Sequence, residues 1–112
     1  MQPSYSVRRT DDRVAVTGEI DLGSALRFAD DVLATVGDDP SQILELDLSG
    51  VTFIDSAGLQ SLITVVQAVH RPVHIDASSR VFVALDVAGL TRGHWDGVTV
   101  RRVEDEHSSG PS

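Results

Sequence analysis

The chain has 112 residues, so it makes one domain, with a core of its own but no room for two. Seventeen acidic residues face nine arginines and no lysine, and the net charge of −8 makes phosphate backbones and anionic lipid surfaces poor partners. The chain has no cysteine, which excludes disulfides and thiolate metal sites and fits a reducing cytoplasm.

The start, Met1-Gln2-Pro3-Ser4-Tyr5, lacks the basic-then-apolar order of a signal peptide. Val7 to Arg9 and Val14 to Ile20 read as two strands joined as a hairpin through the polar turn Thr10-Asp11-Asp12-Arg13. Asp21 can cap a helix in which Leu22, Leu26, Ala29, Leu33 and Val36 recur on one face. Gly37-Asp38-Asp39-Pro40 is its stop signal.

Ile43 to Leu48 alternates leucines with Glu45 and Asp47, the pattern of a strand with one buried face. Ser49-Gly50 reads as its end, and Val51 to Ile54 as a short apolar link into Asp55-Ser56-Ala57-Gly58. A second helix follows to about His70, with Leu59, Leu62, Ile63, Val66 and Val69 as the buried stripe and Gln60, Ser61, Thr64 and Gln67 outward. Its β-branched residues are weak helix formers, so packing has to hold it.

Val73 to Ala77 is another strand, launched after Arg71-Pro72. Ser78 or Ser79 caps a third helix running to Ala88 with Gly89 as its stop, and Val98 to Val103 reads as a last strand. Residues 1–104 form the domain, and 105–112, acidic then Ser/Gly/Pro-rich, read as a disordered tail. The order β-β-α-β-α-β-α-β predicts an α/β fold: a mixed, largely parallel sheet of about four to five strands with helices packed against it.

Catalytic chemistry finds little footing. The nucleophile elbow of a hydrolase needs glycine two places before the serine, where Ile54 stands before Ser56. His70 and His74 have the spacing of a helical metal pair, but Pro72 separates them and a strand begins there. A Walker loop has no lysine to close it. The expectation is a chain with no enzymatic activity, no metal and no cofactor. Trp95 reads as a loop anchor, and Arg8, Arg9, Arg101 and Arg102 as a solvated face.

What remains is Ser56 at a helix start. Asp55 and Ser56 are both favoured caps, and capping alone would account for either. Gly58 is harder to explain that way, because glycine in a first turn is costly unless the chain bends sharply or something approaches closely. A phosphate on Ser56 would sit well against helix N–H groups while changing the surface beside Asp55.

Three segments resemble the STAS family, the domain shared by sulfate transporters and anti-sigma-factor antagonists. They are Val16-Thr17-Gly18-Glu19-Ile20-Asp21, the run from Leu46 to Leu59, and Val83 to Leu90. The resemblance implies a STAS fold and a bacterial anti-sigma-factor antagonist in the cytoplasm. In that family the unphosphorylated domain binds an anti-sigma factor that is also a serine kinase, which frees the sigma factor. Phosphorylation, here of Ser56, dissociates the pair, and a serine phosphatase restores it; ATP belongs to the kinase. The resemblance assigns partner contact to Asp21, Asp55, Ser56, Ala57, Gly58 and Leu59, while the acidic charge argues against nucleic acid and no apolar run approaches the ~20 residues of a membrane span. Ala57 departs from the Ser or Thr that many relatives carry there, leaving Ser56 as the one hydroxyl between Asp55 and Gly58. Free-standing STAS domains also serve as accessory subunits of lipid-transport ATPases, which need no phosphorylation, and this is the alternative.

Overall fold

Val14, Val16 and Ile20 turn to one side of the second strand and are buried, while Thr17 and Glu19 turn away and are exposed. That alternation sets up the whole sheet. A computed structural model describes residues 5–10, 13–35, 42–91 and 95–103. In chain order these form β1 (Tyr5–Thr10), β2 (Arg13–Ile20), α1 (Ala25–Thr35), β3 (Leu44–Ile54), α2 (Ser56–Val69), β4 (Val73–Ala77), α3 (Ser79–Val87) and β5 (Val98–Arg102). The five strands lie in sequence order, with β1 antiparallel to β2 and every later pair parallel. Sequential parallel strands joined by crossovers of one hand put all three helices on one face. The α/β class and the mixed, largely parallel sheet agree with the sequence reading. The stop signal after α1 and the tail at 105–112 lie outside the described residues.

The helix-covered face holds the core. Leu44, Leu46 and Leu48 meet Val16, Ile75, Phe28, Val32, Leu62, Val65 and Leu85 there. Burial of aliphatic side chains at roughly 25 cal/mol per Å² drives this packing. Trp95 is half-buried against the same cluster, as a loop anchor should be. The Tyr5 hydroxyl donates to Asp31 Oδ2 at 3.0 Å and ties β1 to α1. Burial, together with that carboxylate, holds the phenol well above its usual pKa.

Three sequence expectations need correcting. Ser49-Gly50 does not end the strand: β3 runs eleven residues to Ile54. Its register against β2 shifts between Ala15 and Thr17 and again between Gly18 and Glu19, so bulges absorb the break. The first shift inverts the faces, and Val51 is buried although Leu44, Leu46 and Leu48 lie at even positions. The stripe on α1 is also rotated. Ala25, Phe28 and Val32 face the core, whereas Leu22 and Leu26, at 80 % and 83 % exposed, face solvent. On α2, Ser61 is buried rather than outward, its hydroxyl donating to the Ala25 carbonyl at 2.5 Å. Val65, absent from the expected stripe, is fully buried.

Of the two candidate caps of α3, Ser78 is the one used. Its hydroxyl accepts from Val81 N and donates to the Val51 carbonyl at 2.7 Å, in the buried interior. Ser78→Ala removes a cap and a buried hydrogen bond to the Val51 carbonyl, a loss of about 2 kcal/mol. The urea midpoint should fall accordingly at unchanged slope, and an unmoved midpoint would contradict this role for Ser78.

Candidate functional site

The parallel strands β2 and β3 end side by side, and α1 and α2 leave from those ends. Ile20 pairs with Ile54, so Asp21 and Asp55, each one residue on, arrive together at the edge of the sheet. Asp21 shapes the turn into α1. Its Oδ1 accepts from Gly23 N at 3.0 Å and Ser24 N at 3.2 Å, and its carbonyl accepts from Ala25 N at 2.8 Å. Ser24 Oγ donates to the Glu19 carbonyl at 2.8 Å and accepts from Asp21 N at 3.0 Å, which closes the turn.

Asp55 joins the two helix starts. Its Oδ1 accepts from Gly58 N at 2.9 Å, the N-cap bond of α2, while its Oδ2 accepts from Leu22 N at 3.2 Å in the turn before α1. Its own N–H donates to the Ile20 carbonyl at 3.3 Å. Gly58 lies against that same carbonyl: a Cβ built on it would sit 2.0 Å from Ile20 O. Close approach of backbone to backbone is therefore what the glycine is for, one of the two reasons the sequence left open.

Ser56 stands on this pinned corner as the first residue of α2, exposed. Its hydroxyl makes no hydrogen bond within the described residues, and it stands at a helix start, where backbone N–H groups lack intrahelical partners. Of the residues expected to touch a partner, Asp21 and Asp55 are partly exposed and Ser56 is open. Ala57 is half-buried beside an apolar groove. Gly58 is buried and Leu59 packs on the core, so these two hold the corner in place.

A second polar cluster, missed in the sequence, occupies the sheet face opposite the helices. Asp76 on β4, only 2 % exposed, receives the Arg13 guanidinium from β2. Arg101 Nε from β5 lies on its Oδ1 at 3.0 Å and His74 Nε2 at 3.1 Å. Arg13 also reaches Asp47 at 3.5 Å, and Arg101, expected on a solvated face, is engaged with Asp76 instead. Burial pushes the Asp76 carboxyl up, but His74 and Arg101 outweigh it and hold the group below its ordinary pKa of 3.8. The signal for this cluster was faint: opposite charges on four strands, Arg13, Asp47, Asp76 and Arg101, far apart in sequence.

A sheet of this order, with a serine-bearing helix start pinned at the ends of its central strands, defines the class. The model of the STAS domain matches residues 5–92, and the chain belongs to that family. Solved structures agree. An anti-sigma factor antagonist from Mycobacterium paratuberculosis is 25 % identical, with TM-score 0.62, over 85 % of this chain and 83 % of that one. A putative anti-sigma factor antagonist from Thermotoga maritima is 19 % identical, with TM-score 0.61, over 94 % and 89 %. The anti-sigma factor antagonist SpoIIAA in its unphosphorylated form is 13 % identical, with TM-score 0.53, over 94 % and 93 %; at these lower identities the likeness is one of fold. No curated protein sequence matches. Among the described residues no helix is long and apolar enough to cross a membrane.

Proposed function

We propose that this chain is a cytoplasmic anti-sigma factor antagonist whose unphosphorylated form binds an anti-sigma factor with serine-kinase activity, and that phosphorylation of Ser56 breaks the complex. The observation that carries the reading is the exposed Ser56 hydroxyl, without a hydrogen bond among the described residues, on a helix start that Asp55 and Gly58 hold in place. Supporting it, a structural relative at 25 % identity is described as an anti-sigma factor antagonist.

The physics of the switch is local. A phosphoryl group adds about −1.5 to −2 charges, and the N–H groups and dipole of α2 receive it without unfolding the domain. On binding, that charge has to be desolvated beside Asp55. A penalty of about 4 kcal/mol is already a thousandfold in affinity. The kinase supplies ATP and the transfer chemistry, and a serine phosphatase resets the switch. This chain contributes an acceptor and a surface.

The test compares Ser56→Ala and Ser56→Asp as baits in lysate of the source organism, with mass-spectrometric identification. A kinase-type anti-sigma factor retained by the alanine bait and lost from the aspartate bait is the expected result. A transport ATPase recovered equally on both would make Ser56 a mere helix residue and overturn the reading.

A further inference from the structure

Leu22 and Leu26 are the two most exposed large apolar side chains of the described residues beside Val87, and they do not stand alone. With Ala29 on α1 and Ala57, Gln60 and Thr64 on α2 they line a groove of about 320 Å³ between the two helices. Its floor is tightly built, since Ser61 Oγ crosses beneath it to the Ala25 carbonyl at 2.5 Å. At one end the Leu22 N–H donates to Asp55 Oδ2 at 3.2 Å, which ties the Leu22 backbone to the start of α2. Water against such a surface is unfavourable, and contiguous exposed apolar area on a small domain marks a docking face.

We propose that this groove receives an amphipathic helix of the same anti-sigma partner, with aliphatic residues one turn apart seated between Leu22, Leu26 and Ala57 and with Lys or Arg along its flank; this rests on the function proposed above. Two observations select that occupant. The groove is continuous with the surface carrying Ser56, because Ala57 is the next residue and lines it. Charge does the rest. Asp30 is exposed on α1 beyond Leu26, while Arg27, the one arginine of that helix, is turned onto the Tyr5 ring at 5.8 Å. The Asp30 carboxylate, four residues beyond Leu26 on the same helix, attracts a basic flank. The net charge of −8 works against a second copy of this chain in the same place. A helix laid in a groove places its apolar contacts at i, i+3, i+4 and i+7 spacing, which suits a groove flanked by Leu22 and Leu26.

Such a docking mode explains why one phosphoryl group suffices. A helix seated over Ala57 covers the neighbouring Ser56, so the dianion would be stripped of water at the edge of an apolar contact.

The experiment uses the full chain carrying Ser56→Ala, with p-benzoylphenylalanine introduced at Leu26 or, as a control on the open sheet face, at Thr99. Photolysis in lysate of the source organism is expected to join Leu26, not Thr99, to a basic amphipathic segment of the protein captured by the alanine bait. The purified partner should bind Leu22→Asp and Leu26→Asp at least about tenfold more weakly, at unchanged melting temperature because both leucines are exposed. Asp30→Arg should weaken binding several-fold at low salt, with the difference closing as salt rises. Cross-linking to a second copy, or to a segment without basic residues, overturns the proposal. So does a partner that still releases on Ser56→Asp but ignores Leu26→Asp, and that result leaves the function intact. A partner held equally by Ser56→Ala and Ser56→Asp, or no partner on either, removes the function and the groove together.

Discussion

Gly58→Ala is expected to lower stability by about 3 kcal/mol, against the gain of about 1 kcal/mol that alanine normally brings to a helix. The reason is the Ile20 carbonyl. An added Cβ would lie 2.0 Å from that oxygen and 2.9 Å from both its carbon and the Ile54 Cγ1. Two of these atoms are backbone of the central sheet, so no side chain can swing aside to make room. Relief requires α2 to move by about an ångström away from β2, and no core side chain can follow without losing contacts. Such a shift also lengthens the bonds from Gly58 N to Asp55 and from Asp55 N to Ile20 O. For a domain of this size the melting temperature should fall by about 12 °C. A scanning calorimetry trace with Gly58→Ala at or above the wild-type temperature would show that the corner is not closed as described. Where the variant still folds at low temperature, its Ser56 should be a poorer acceptor, because the helix start that presents it has moved.

The corner was partly legible in advance. A glycine inside the first turn of a helix signalled close approach, although nothing nearby in the sequence could say that the approaching atom is Ile20 O, thirty-eight positions earlier. The alternation of Leu44, Leu46 and Leu48 with Glu45 and Asp47 identified a strand and its buried face. Ser49-Gly50 concealed the strand's continuation, because a bulge uses the same residues as a break and only the partner strand distinguishes them. Gly50 shows the difference: it sits beside Thr17, whose Cγ2 would be 2.7 Å from an added Cβ.

Helical periodicity erred for two different reasons. In α2 the run Ile63-Thr64-Val65-Val66 is apolar on more than one side, so several stripes fit equally and Val65 was passed over. In α1 a regular stripe through Leu22, Leu26 and Ala29 was present, but it borders the groove and the smaller set Ala25, Phe28 and Val32 meets the core. A surface meant for a partner carries the same pattern as a core face. Periodicity reports that a face will be covered, not by what.

Asp76 shows the limit of reading from one segment. On its strand it has the parity of His74, toward the open face, and solvation is the natural expectation. Its burial is created by arginines sixty-three residues before and twenty-five after it in the chain. The expected result of Asp76→Asn is a loss of about 2 kcal/mol at neutral pH, since charge-assisted bonds from Arg13, Arg101 and His74 are weakened together. The arginines are partly exposed and can turn to water, which keeps the loss below that of orphaning a buried charge. The pH dependence follows from the lowered pKa. A carboxyl that titrates at 3.8 in the unfolded chain and lower in the folded one contributes its stability fully above that value. The contribution is lost as pH falls through the folded pKa, when both states hold the proton. Urea unfolding of wild type and Asp76→Asn should therefore show a gap at about pH 5 that closes as the pH falls below about 4. A gap that persists unchanged to pH 2 would mean that the asparagine costs stability through packing and not through charge. Because the cluster lies on the face away from the helices, partner binding by Asp76→Asn at neutral pH should match wild type, whereas a loss of binding there would put the open face of the sheet inside the interface.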